Sequence, residues 1–151
     1  MLETLIEETP QWESVGLMIG VFAIILQQGL MLLIKRGTEP HKGYWCPPGG
    51  LMEAGEIPEE AVTREVREET GLEVEVVDAL GEVRGPITGR PSGVYLCRVV
   101  GGDAEPRPPE SVGVSWFPGE EISQILFPSF MLDFLSVFDL EELGSRKISE
   151  E

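Results

Sequence analysis

A chain of 151 residues, 42% apolar and 25% charged, is long enough for one domain with its own core and ordinary for a globular protein. Twenty-seven acidic residues against eleven basic ones give a formal net charge of −16, a field that repels nucleic acid and anionic membrane surfaces. The two cysteines, Cys46 and Cys97, form no CxxC and no disulfide framework, and the single histidine, His41, excludes a zinc site built from several histidines.

The segment Met1–Glu8 is acidic, which is wrong for a signal peptide, and residues 1–14 are expected to form an N-terminal extension. Val15–Ile34 is strongly apolar, but Gln27-Gln28-Gly29 divides it into pieces shorter than the roughly 20 residues of a membrane span. Two strands, 15–26 and 30–36, are expected instead, in a sheet covered on both faces. Gly37–Gly43 reads as a loop, Tyr44–Cys46 as a short strand, and Pro47-Pro48-Gly49-Gly50 as its end. A helix of about three turns runs from Pro58, a good first residue, to Gly71, a good left-handed stop. Leu72–Val77 is the next strand, continued by Ala79–Arg84 after a bend. Gly85–Gly93 is a loop, Val94–Val100 a strand, Gly101–Glu110 a loop and Val112–Phe117 a strand. A helical turn over Glu120–Leu126 precedes an amphipathic helix from Ser129 through Phe138 to Leu143, and residues 144–151 form a tail. The order suits an α/β domain over residues 15–143, a mixed β-sheet between helices.

The chemistry concentrates in the helix. Glu65, Glu68 and Glu69 share one face, where like charges repel, while Val62 and Val66 mark the other face as buried. A hard divalent cation such as Mg²⁺ resolves that repulsion, since it takes oxygen ligands. With one histidine in the chain, a carboxylate, lysine or tyrosine is the expected general base. A phosphate substrate would have to arrive with a cation or meet local Arg and Lys.

The stretch Gly50 to Leu72 resembles the Nudix box: Gly50, Glu56, Arg64, Glu65, Val66, Glu68, Glu69, Gly71 and Leu72 stand at its fixed positions. Residue frequencies alone produce that pattern about once in 10⁵ sequences, too rarely for a merely solvated acidic helix. Trp45-Cys46-Pro47-Pro48-Gly49-Gly50 is similar to the family's lead-in. The resemblance implies the Nudix α/β/α sandwich, a homodimer and an enzyme, and the two cysteines without a framework suit a cytoplasmic setting. The implied reaction is Mg²⁺- or Mn²⁺-dependent hydrolysis of a nucleoside diphosphate linked to another group. It makes Glu65 and Glu69 the leading metal ligands, with Glu68 and the Gly50 carbonyl beside them, and Glu56 the brace of Arg64. The base is Glu68, Glu65 or a carboxylate of a later loop. Glu110 stands where relatives often carry an extra acidic ligand. Ile57 departs from the usual Thr or Ser helix cap.

For the substrate, Arg36, Arg84 and Arg90 are candidate phosphate contacts, and Tyr44 and Trp45 candidate stacking surfaces for a base. Pro86 lies near a proline typical of ADP-ribose pyrophosphatases, so a small nucleotide, ADP-ribose first, is the expected partner. Nucleoside triphosphate cleavage is the alternative within the family. A non-catalytic nucleotide-sensing domain is the alternative of another class, and such domains usually lose the acidic positions that this chain keeps.

Overall fold

The computed structural model describes residues 20–84, 91–122 and 124–125. Within them run β1 (Gly20–Gln27), β2 (Leu30–Arg36), β3 (Trp45–Cys46), β4 (Gly49–Leu51), α1 (Pro58–Thr70), β5 (Glu73–Arg84), β6 (Pro91–Gly101), β7 (Ser111–Pro118) and α2 (Gly119–Ile122). The expected N-terminal extension, the 85–90 part of the loop, the helix from Ser129 and the C-terminal tail lie outside the described residues.

β1 is the strand on which the sheet is built. It runs parallel to β6 from Gly20↔Ser92 to Ile25↔Cys97. On its other edge it takes β4 antiparallel at Gly20↔Leu51 and β2 at Leu26↔Met31. β2 in turn pairs with β3 and β7, and β5 pairs with β6, so among the described residues the sheet is mixed and seven-stranded. The apolar run of β1 is explained by burial on both faces. Val21, Ala23 and Ile25 join Ala61, Val62 and Val66 of α1 in one core cluster. Phe22, Ile24 and Leu26, pointing the other way as strand alternation requires, join Met31, Leu33, Leu96 and Ile122 in a second. The hairpin turn falls at Gln28 and Gly29, both at positive φ, the backbone that two-residue hairpins favour. Among the described residues no helix is long and apolar enough to cross a membrane.

Two local expectations are corrected. Gly49 and Gly50 do not end a strand; they begin β4. A Cβ on Gly49 would collide with the Val21 carbonyl, so glycine here permits close strand approach rather than a turn. The helical turn expected over Glu120–Leu126 is confined, among the described residues, to Gly119–Ile122. The bend expected near Asp78 appears as register shifts at Val76/Asp78 and Ala79/Gly81 inside one long β5.

Helix α1 starts on Pro58 and stops at Gly71, whose φ of 82° is left-handed and whose N–H donates to the Arg67 carbonyl at 3.0 Å. At its start Glu60 accepts the Ile57 N–H at 3.2 Å, but Ile57 offers no oxygen in return. Ile57→Ser completes that cap and is expected to stabilise the protein by about 1 kcal/mol. Chemical denaturation measures the gain; an unchanged midpoint would refute it.

Candidate active site

The helix face that packs on the sheet carries two glutamates. Glu65 and Glu69 are both 7% exposed and are buried along with Ala61, Val62 and Val66, which corrects the expectation that the glutamate face stands opposite the buried one. Burying carboxylates is costly unless something positive meets them, so what surrounds them decides what the site can do. They open into a cleft of about 450 Å³. Its walls hold Glu53, Glu68 and Glu110 besides, together with Arg36, Arg64 and the Gly49–Gly50 backbone. Every residue expected to hold metal, Gly50, Glu65, Glu68, Glu69 and Glu110, is therefore brought to one place.

Arg64 is the hub. Its guanidinium grips Glu56 through two bonds, Nε to Oε2 at 2.5 Å and Nη2 to Oε1 at 3.0 Å, and Nη2 also donates to the Leu51 carbonyl at 3.0 Å. Nη1 reaches Glu65 and Glu68, each at 3.2 Å. The forked grip suits a guanidinium and no other cation. The hydrogen bond from Arg64 holds the Glu56 carboxyl below its usual range, and that same bond raises Arg64 further. Glu56 also accepts the Glu53 N–H at 2.7 Å, so the loop ahead of α1 is tied through Glu56 to Arg64 of the helix.

Glu65 and Glu69 shift the opposite way from Glu56. Burial pushes Glu65 up to about 7; Arg64 opposes this, and Glu68 and Glu110 add to it. Glu69 is raised well above its ordinary value by burial first, then by Glu65. The Gly49 N–H, donating to Glu69 Oε1 at 3.0 Å, works against that rise. Glu110, which lines the same cleft, raises both. Cys46 is buried near Arg36 and Glu69, and burial pushes its thiol up to about 12.

These residues fit a hard cation. The acidic side chains that line the cleft, Glu53, Glu65, Glu68, Glu69 and Glu110, offer oxygen donors only. A Cβ on Gly50 would collide with the Glu65 carboxylate, so this glycine lets backbone and carboxylate share one small space. Among the described residues no three His, Cys, Asp or Glu side chains are gathered closely enough to form a metal group; Glu65 and Glu68 turn to the Arg64 guanidinium instead.

The candidate substrate residues divide. Arg36 lines the cleft, its Nε donating to the Pro40 carbonyl at 2.8 Å. Trp45 packs edge-on against Phe117, with ring centroids 5.0 Å apart, and Tyr44 meets His41 at 6.3 Å; neither is among the described cleft-lining residues. Arg84 ends β5. The register Leu51↔Gly20↔Ser92↔Val83 puts that strand three spacings, about 14 Å, from β4. Arg90 lies outside the described residues. Sequence reasoning missed Glu53, Thr38 and Glu39 on the cleft wall. Glu53 is three residues from Gly50, and that proximity in the chain is the signal that could have found it.

A family model for the NUDIX domain matches residues 16–138. The chain belongs to the Nudix family. Over 116 residues, 77% of its length, it is 34% identical to a MutT-like protein of Streptomyces ambofaciens, covering 73% of that protein. It is 42% identical over 90 residues to an ADP-ribose pyrophosphatase of Methanocaldococcus jannaschii, which is 56% of this chain and about half, 53%, of that one. It is 28% identical over 119 residues to an oxidized purine nucleoside triphosphate hydrolase of Danio rerio, 78% of this chain and 74% of that one. Among solved structures, a MutT NUDIX hydrolase from Burkholderia pseudomallei superposes with a TM-score of 0.66, at 29% identity over 80% of this chain and 98% of that one. The α/β class expected from the sequence is the class of these neighbours. As a Nudix hydrolase the chain is a pyrophosphohydrolase acting on nucleotide derivatives.

Proposed function

We propose that this Nudix hydrolase cleaves the diphosphate linkage of a nucleoside diphosphate joined to another group, with Mg²⁺ or Mn²⁺, and that ADP-ribose is its substrate, giving AMP and ribose 5-phosphate. The observation that carries the reading is the convergence of Glu65, Glu68, Glu69 and Glu110 with Arg36 and Arg64 on one cleft. A divalent cation bound there would neutralise phosphate charge and lower the pKa of a bound water. Glu65, Glu69 and the Gly50 carbonyl would hold it, with Glu68 and Glu110 as further carboxylates. Glu56 and Arg64 position the helix face and the Leu51 carbonyl. Glu68, with 45% of its side chain exposed against 10% for Glu65, is the carboxylate best able to take a proton from an attacking water. Arg36 is the cation placed to meet the substrate's phosphate. A homodimer, a cytoplasmic setting and a single domain over residues 15–143 belong to the same reading.

The substrate assignment draws on the similarity to the Methanocaldococcus enzyme and on the Pro86 position. The similarity to the Danio hydrolase supports a second reading, cleavage of a nucleoside triphosphate to a monophosphate and pyrophosphate. A nucleotide panel under saturating Mg²⁺, with products identified by mass spectrometry, separates them. ADP-ribose should show the highest kcat/KM. A triphosphate preferred by about tenfold, roughly 1.4 kcal/mol of transition-state binding, would replace the first reading by the second.

A further inference from the structure

The loop that brings Glu110 to the cleft is held by a serine that does not itself reach it. Ser111 is wholly buried at the first position of β7. Its hydroxyl donates to the backbone carbonyl of Glu69 at 2.7 Å and accepts the Arg107 N–H at 2.8 Å. The Glu69 carbonyl is one of the last four of α1, which have no partner within the helix. One hydroxyl thus joins the helix bearing the buried carboxylates to the loop bearing Glu110. The backbone around it is irregular at the same point. β2 pairs Lys35 with Gly113 and Arg36 with Ser111, so Val112 is an extra residue in the ladder. A regular ladder would put Val112 opposite Arg36; the bulge puts Ser111 there, and a bulge beside a site re-aims the neighbouring side chains. On the far side, the Gly37 N–H donates to the Glu110 carbonyl at 3.1 Å. A Cβ on Gly37 would collide with the Pro109 carbonyl.

We propose that Ser111 is a positioning residue: by tying the Glu69 backbone to the start of β7, it fixes Glu110 opposite Glu65 and Glu69 so that the two sides of the cleft hold one divalent cation together. This rests on the reading of the cleft as a cation site. A serine that only capped α1 would affect stability and would act independently of Glu110.

The test is calorimetric titration of Mn²⁺ into the full chain, for the wild type, Ser111→Ala, Glu110→Gln and the double variant. Ser111→Ala and Glu110→Gln should each weaken Mn²⁺ binding by about 10-fold, the scale of losing a group that orients a ligand. The double variant should bind within about twofold of Glu110→Gln alone, because two changes acting through one contact are not additive. Wild-type affinity in either single variant overturns the proposal, as does a full further loss from Ser111→Ala on the Glu110→Gln background. If Ser111→Ala does not fold, Gly37→Ala takes its place, since it displaces the same loop from the other side, and its loss must likewise vanish on the Glu110→Gln background. Glu69→Gln is the control. Lost Mn²⁺ binding there with none lost in Ser111→Ala sinks this inference alone; retained binding in Glu69→Gln sinks the cation site itself.

Discussion

Glu69→Gln should lower kcat by on the order of 10²-fold or more, the scale of losing one electrostatic catalytic group, while the metal-free protein keeps its fold or gains stability. The two halves of that result have one cause. Glu69 is buried beside Glu65, and burial and Glu65 both disfavour its charge. Glutamine fills nearly the same volume, and its amide oxygen can still accept the Gly49 N–H that Glu69 Oε1 now accepts. What disappears is the negative charge, which is costly for the fold to bury and which the reaction needs. A merely structural glutamate would give the reverse pattern, a lower melting temperature with activity in proportion to folded protein. Full activity in the variant would sink the proposed role. Glu110→Gln should lower kcat less, because Glu110 stands on an exposed loop whereas Glu69 is buried.

The box was legible because its information is local. Spacing on one helix puts Glu65, Glu68 and Glu69 together whatever the rest of the chain does, and Pro58 and Gly71 mark the helix ends by backbone preference alone. The apolar run broken at Gln28-Gly29 revealed the hairpin for the same reason. What could not be read depends on partners far along the chain. Gly49-Gly50 looks like a turn until β1 is laid beside it, since only the close approach to Val21 makes it strand. Trp45 sits on a two-residue strand, too short to have a period. Its packing is decided by pairing with Lys35 and by Phe117 on β7. Glu110 was placed from a family habit, but its position is made by Ser111, Gly37 and a bulge that no run of residues announces.

Divalent cation should stabilise the fold, and the gain should grow with pH. In the metal-free protein Glu65 is raised from an ordinary carboxyl value near 4.5 to about 7, and Glu69 is raised as well. A group whose folded value lies above its unfolded one binds more protons in the folded state. Its contribution is complete below the unfolded value and is lost as pH rises through the folded one. The metal-free fold therefore loses stability from about pH 4.5 to about pH 7 through Glu65. A bound cation favours the charged carboxylates and competes with those protons. At about 100-fold excess over Kd it should add about 2.7 kcal/mol at neutral pH, and much less at pH 5, where protons hold the same oxygens. Thermal melts with chelator and with Mg²⁺ between pH 5 and pH 8 measure both curves. The whole chain's charge of −16 also weakens the fold as pH rises, so Glu69→Gln is the reference. It should reduce the dependence on pH and shrink the Mg²⁺ gain together, because Glu69 is a second raised carboxylate in the same cleft. A melting temperature indifferent to millimolar Mg²⁺ and to chelator across that range would remove the cation from this cleft.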